Sequence, residues 1–94
     1  LADTFGAPFT GHDCTGPIAL TASVHMTMHA SNVFIQEIVR AFYYGWYQDL
    51  VTQLPPIRNG RITAPAGPGL GTALNPDVIK RADARTQKTT AADL

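Results

Sequence analysis

The sequence predicts an α/β fold in which a strand–helix–strand unit carries a parallel pair of strands. Two short apolar segments, residues 5–10 and 33–36, flank one helical segment at residues 17–30. That order within roughly 30 residues is a βαβ unit, which joins parallel strands by a right-handed crossover. Both strand segments are apolar throughout instead of alternating, the pattern of strands covered on both faces. The helix between them has its start written in the chain, with Pro17 at its first position, where a missing N–H costs nothing.

Each element has its own signal. Residues 11–17, Gly-His-Asp-Cys-Thr-Gly-Pro, form a turn after the first strand, and Thr15 or Gly16 caps the helix. Ile18, Ala22, Met26 and Ala30 recur every fourth residue and define its expected apolar face. Ser31 and Asn32 end the helix, both being turn formers. Val33-Phe34-Ile35-Gln36 is too short and too β-branched to prefer helix and is the second strand. Phe42, Tyr43, Tyr44, Trp46 and Tyr47 follow, with a helical turn expected through Gln53. Such a cluster is a core or an interface before it is a ring-stacking site. Asn59-Gly60 between Ile57-Arg58 and Arg61-Ile62 predicts a hairpin with a type I′ turn. Residues 64–71 are irregular, Asn75 is placed to cap a short helix from Pro76, and the chain beyond Ala82 is polar and expected to fray. There is no internal repeat.

Composition narrows the function. The chain has 94 residues, 45% of them hydrophobic, so it is globular and holds one small domain at most. Seven basic and seven acidic residues give no net charge, which argues against a nucleic-acid partner. No apolar run approaches the roughly 18 residues of a membrane span. Cys14 is the single cysteine and has no internal disulfide partner, so the cytoplasm is the expected compartment. Residues 1–50 carry Asp3, Asp13, Glu37 and Asp49 against Arg40 alone, whereas residues 51–94 hold six basic residues against three acidic. A chain of this size buries only about 60–65% of its unfolded surface, and one βαβ unit cannot cover both faces of its own sheet. Further strands are therefore expected from elsewhere, and Leu1 in place of Met fits a segment that precedes it.

His12 and Glu37 are the strongest chemical candidates. Each lies just past the C-terminal end of a predicted parallel strand, where α/β folds place their sites. Neighbouring strands lie about 4.8 Å apart, so both side chains can face one small ligand. Glu37 is the only glutamate in the chain. The plainer alternatives are a turn histidine that caps a backbone group and a glutamate that closes a salt bridge. Asp13 is a candidate substrate contact, against a capping role in the turn. His25 and His29 have metal-ligand spacing, but Met26 stands where His-Glu-x-x-His needs glutamate, so both are read as structural. Cys14 beside the helix start is a possible nucleophile, yet nothing supplies an oxyanion site. Gly67, Gly69 and Gly71 match no phosphate-binding motif, because Thr72 stands where a further glycine is required.

Gly-His-Asp-Cys-Thr-Gly-Pro-Ile-Ala-Leu-Thr-Ala-Ser-Val-His at 11–25, Asn-Val-Phe-Ile-Gln-Glu at 32–37 and Pro-Gly-Leu-Gly at 68–71 together resemble the C-terminal end of the enolase superfamily. Within it the chain is most similar to the mandelate racemase/muconate lactonizing enzyme group, especially acid-sugar dehydratases of the galactonate and mannonate kind. The resemblance runs from about residue 3 to 80. It implies a C-terminal fragment of a (β/α)7β TIM-like barrel, with residues 6–11 on strand seven, 17–30 on helix seven and 33–36 on strand eight. Residues 1–49 would end the barrel, and residues 50–94 would return to an α+β capping domain.

The resemblance also implies roles. His12 matches the general base that removes the proton α to a carboxylate. Glu37 matches the carboxyl group that hydrogen-bonds that carboxylate as it becomes an enediolate. Mg²⁺ is the implied cofactor, because a developing dianion needs a cation and donors to stabilise it. Its three acidic ligands, on strands three to five, lie outside this sequence, as does the aspartate that orients the histidine. No metal ligand is expected in this chain. A whole barrel takes about 250 residues, so this chain supplies about two of its eight units. The implied partners are a sugar acid, the N-terminal remainder of the same protein and further copies in a homo-oligomer. The expected activity is loss of water from a sugar acid to give a 2-keto-3-deoxy acid. The alternatives are a racemase or epimerase of the same superfamily and a small non-catalytic interaction module.

Overall fold

The computed structural model describes residues 1–93. Strand β1 (Phe9–Gly11), helix α1 (Pro17–His29) and strand β2 (Val33–Gln36) form the βαβ unit, and β1 and β2 pair in parallel. Helices α2 (Arg40–Tyr43) and α3 (Tyr47–Leu50) follow, then the antiparallel hairpin β3 (Ile57–Arg58) and β4 (Arg61–Ile62), and helix α4 (Pro76–Ile79). Single 3-10 turns lie at Asp3–Phe5 and Ala91–Asp93.

The first strand begins later than the expected residues 5–10. The Asp3–Phe5 turn closes through the Gly6 N–H on Asp3 O at 2.9 Å, and Pro8 has no N–H to give a ladder. Pairing therefore starts at Phe9, opposite Val33, and ends with Gly11 opposite Gln36. Helix α1 starts where expected and ends one residue before the expected residue 30. Gly16 occupies the N-cap position and Pro17 the first turn, and the Ala30 N–H closes the other end on Met26 O.

The buried face of α1 differs from the expected one. Leu20, Thr21, Val24 and Thr27 are buried, whereas Ile18 and Met26 are exposed and Ala22 is open to solvent. The helix is apolar or small nearly all round, so period alone does not choose a face. The two threonines are compatible with burial because each hydroxyl donates within the helix, Thr21 to Pro17 O and Thr27 to Val24 O.

Leu20 and Val24 pack with Tyr43 and Tyr47 to form the core, and Ile38, Phe42, Leu54, Ile57, Ile62 and Ala64 close around it. Of the aromatic segment, Tyr43 and Tyr47 are thus core and Phe42 packs against them, whereas Tyr44 and Trp46 are exposed. Tyr47 is fully buried, with its ring edge-on to Trp46 at 4.6 Å between centroids. Tyr43 donates its hydroxyl to Pro55 O at 2.7 Å, and burial pushes its phenol up from the ordinary value. The hairpin forms as expected, with Asn59 at φ 51° and Gly60 at φ 73°, both in the left-handed region a type I′ turn demands. Asn75 precedes α4, but its amide does not cap that helix. It donates instead to Asp49 O at 2.8 Å and ties α4 to the end of α3.

Within this chain the parallel pair is not covered on both faces. Phe34 is 72% exposed and Ile35 53%. Among the described residues no helix is long and apolar enough to cross a membrane.

Candidate active site

The register of the parallel pair decides where the site residues fall. Gly11 lies opposite Gln36, so the next residue on each strand, His12 and Glu37, leaves the sheet side by side. The Glu37 N–H donates to Gly11 O at 2.9 Å and extends the ladder one step past both strands. His12 Nδ1 then hydrogen-bonds Glu37 Oε2. On the other side of the ring, Cys14 Sγ lies 3.2 Å from His12 Nε2. With Glu37 ionised we assign the proton to Nδ1, which leaves Nε2 as the basic nitrogen and the acceptor of the thiol proton. Both His12 and Glu37 are exposed, so a ligand reaches them directly.

Asp13 goes the other way. It is 1% exposed, and its Oδ1 accepts the Tyr47 hydroxyl at 2.9 Å while Oδ2 faces the Val39 N–H at 3.5 Å. The sequence offered it as a substrate contact, but its carboxylate is turned into the interior and held by the chain itself. Burial, together with the Asp13 carboxylate, pushes the Tyr47 phenol up to about 12, so Tyr47 remains a hydrogen-bond donor across the neutral range.

Gln36 is a further site residue that sequence reasoning passed over. Its Nε2 donates to Gly11 O at 3.2 Å and to Glu37 O at 2.8 Å. Its Oε1 accepts from Ser23 Oγ on α1 at 2.8 Å, and Thr27 Oγ1 on the same helix, whose proton goes to Val24 O, lies 3.4 Å away. The approach is so close that a Cβ at Gly11 would lie 2.3 Å from Gln36 Oε1 and 2.6 Å from Ser23 Oγ. The available signal was a lone amide at the end of an otherwise apolar strand.

The remaining candidates stay apart from this pair. His25 Nε2 lies 3.0 Å from Leu70 O and fastens α1 to the loop after the hairpin, and His29 is exposed. Among the described residues no three His, Cys, Asp or Glu side chains gather as a metal site.

A sequence model of the family described as "Enolase C-terminal domain-like" matches residues 1–78. The chain belongs to this family. Its C-terminal domain is a (β/α)7β barrel, of which the chain is a small α/β portion. D-xylonate dehydratase of Haloferax volcanii is 32% identical over 80 residues, covering 85% of this chain and 19% of that protein. D-galactonate dehydratase of Xanthomonas campestris is 32% identical over 88 residues, covering 88% of this chain and 23% of that protein. The chain thus spans about a fifth of the length of these enolase-family relatives. Among solved structures, an enolase of the mandelate racemase subgroup from Agrobacterium tumefaciens matches with a TM-score of 0.77 at 51% identity, over 84% of this chain and 21% of that one. A mandelate racemase/muconate lactonizing enzyme from Jannaschia sp. CCS1 gives 0.75 at 34% identity, over 94% and 22%.

Proposed function

We propose that this chain is the C-terminal part of an acid-sugar dehydratase in which His12 and Glu37 are the reacting pair. The observation that carries the reading is the direct contact of His12 with Glu37 at the ends of two paired parallel strands. The relatives named as D-xylonate, D-galactonate and D-gluconate dehydratases support it.

A proton α to a carboxylate is very weakly acidic, so its removal needs a base at the carbon and a donor at the carboxylate in the same instant. In the reactive form Glu37 carries a proton and His12 Nε2 carries none. Glu37 then donates to the substrate carboxylate, and His12 Nε2, released from the Cys14 thiol, takes the α-proton. The C–H electron pair moves into the enediolate and then expels the β-hydroxyl, which leaves as water with the proton His12 had taken. The resulting enol tautomerises to the 2-keto-3-deoxy acid.

Mg²⁺ supplies charge neutralisation at an enediolate when it is bound. The residues of this chain do not fit such a site. Asp13 is tied to Tyr47, Glu37 is tied to His12, and no cluster of three ligands exists among the described residues. The ion's ligands belong, in this reading, to the N-terminal remainder of the protein.

In the same reading residues 6–11 and 33–36 are barrel strands seven and eight, and residues 17–30 are the helix between them. Residues 1–49 close the barrel and residues 50–94 return to the capping domain. The remainder of the barrel covers the open side chains of Phe34 and Ile35, and the whole works in the cytoplasm as a homo-oligomer. The mandelate racemase grouping of the structural neighbours favours racemisation or epimerisation as the second reading.

The deciding experiment incubates the full-length protein with a panel of sugar acids and Mg²⁺, in D2O. Formation of a 2-keto acid that carries solvent deuterium at C3, where the enol is protonated, supports the dehydratase. Deuterium incorporation with inversion at the α-carbon and no keto acid selects the racemase or epimerase. Neither change with any acid sinks both.

A further inference from the structure

We infer that Gln36 and the buried Asp13–Tyr47 pair are positioning residues that hold His12 and Glu37 in register. The inference rests on the proposed role of His12 and Glu37 as the reacting pair. Both reacting side chains stand on exposed loops just past short strands, and neither is fixed by burial of its own. A reacting group placed about 1 Å off costs on the order of a hundredfold in rate, so the backbone beneath must be fixed instead.

The structure braces that backbone on both sides. Gln36 precedes Glu37 and reaches Gly11, which precedes His12. Its single amide donates to Gly11 O and Glu37 O and accepts from Ser23 Oγ, with Thr27 Oγ1 close by on the same helix. It therefore locks the end of β1, the end of β2 and α1 to one another. Asp13 follows His12 and reaches Val39, which lies two residues after Glu37. A buried carboxylate is costly unless hydrogen-bonded, and here the Tyr47 hydroxyl from α3 supplies the close bond at 2.9 Å. The two loops are thus bridged once before the reacting residues and once after them. A Cβ at Gly11 would crowd the Gln36 amide and the Ser23 hydroxyl and displace them from this bridge.

The test uses the full-length enzyme with Tyr47→Phe, which removes one hydroxyl and keeps the ring contacts, and with Gln36→Leu. Each is expected to lower kcat about tenfold to a hundredfold, to leave KM within about twofold, and to displace the limbs of the pH–rate profile. Asp13→Asn keeps an acceptor for Tyr47 and is expected to recover most of what Asp13→Ala loses. If Gln36→Leu fails to fold, Ser23→Ala removes one donor to the same amide and is expected to give a smaller fall in the same direction. Crystal structures of the variants supply a readout apart from activity, with the His12–Glu37 contact expected to open. Unchanged kcat and pH profile with the contact intact overturn the inference. So does a fall in kcat that tracks thermal unfolding while the pH profile and contact stay put, since that is packing alone. If the wild-type enzyme acts on no sugar acid, the functional reading fails separately. The crystal structures then decide the brace, an opened contact supporting it and a retained one overturning it.

Discussion

The half of the chain up to Glu37 and the half after it are held by different forces. The first has a thirteen-residue helix and a parallel strand pair, and its polar side chains converge on the strand ends. After Glu37 the elements are helices of four residues and strands of two, each too short to persist alone. They persist because aromatic rings are buried and side chains tie to distant backbone, as Tyr43 does to Pro55 O, Thr72 to Gln53 O and Asn75 to Asp49 O. One half presents the candidate chemistry and the other supplies the floor beneath it. They meet where Tyr43 and Tyr47 pack on Leu20 and Val24 and where Tyr47 reaches Asp13. Substitutions away from that junction should therefore separate into effects on turnover and effects on stability.

The largest expected effect is on turnover alone. His12→Asn in the full-length enzyme should lower kcat by about 10²–10⁴-fold, the usual loss for an acid–base group. Its unfolding free energy should stay within about 0.5 kcal/mol of wild type, as for an exposed side chain. Activity assays with chemical denaturation check both halves of the statement. A large loss of stability would mean that the pair is structural and that the two regions are not separable in this way.

Leu20→Ala should do the reverse. Leu20 is fully buried against the aromatic floor, and a leucine truncated in a core costs about 2–5 kcal/mol. Denaturation should register that loss, while kcat per folded molecule should remain near wild type. A kcat that falls along with stability would show that the floor and the strand ends are coupled beyond the Tyr47–Asp13 contact.

The part of this comparison that was legible in the sequence is the part governed by local rules. Pro17 and Ser31-Asn32 bracket α1, Asn59-Gly60 makes the turn, and Val33–Gln36 forms the second strand. Local patterning also put His12 and Glu37 at matching strand ends, which the register then brings into contact. The face of α1 was not legible, because Ile18-Ala22-Met26 and Leu20-Val24 are equally apolar stripes. Only the tyrosines arriving from α2 and α3 choose between them. The inward turn of Asp13 was hidden for a related reason. Its partners Tyr47 and Val39 are set by the tertiary path, and a turn aspartate without them would face solvent. The first strand's late start followed from Pro8 and the Asp3–Phe5 turn, which outweighed an apolar run.

A smaller effect sharpens the comparison within the second half. Gly60→Ala places a Cβ on a residue at φ 73° and should cost about 1 kcal/mol, because alanine is strained in the left-handed region. No atom crowds that Cβ, so the cost is conformational and local. Thermal unfolding should shift downward by a few degrees with kcat intact. A loss as large as that of Leu20→Ala would mean that the hairpin's apposition of Ile57 and Ile62 to the core depends on that turn more than packing indicates.

The smallest effect is in the pH dependence of stability and reads the junction of the two regions directly. The Tyr47 phenol ordinarily titrates near 10 and is held at about 12 in the folded chain, first by burial and then by Asp13. The folded state therefore keeps its proton at a pH where the unfolded chain has already lost it. Below about pH 10 both states are protonated and the hydrogen bond's contribution is complete. Between about 10 and 12 the unfolded state gains by ionising, so stability falls as pH rises through that window. Tyr43 is raised as well and adds a slope of the same sign, so the informative quantity is a difference. The stability gap between wild type and Tyr47→Phe should shrink by on the order of 1 kcal/mol between pH 9 and 11.5, measured by urea denaturation. A gap independent of pH would mean that the phenol is shifted neither by burial nor by the Asp13 carboxylate, and Tyr47 would then not join the two halves.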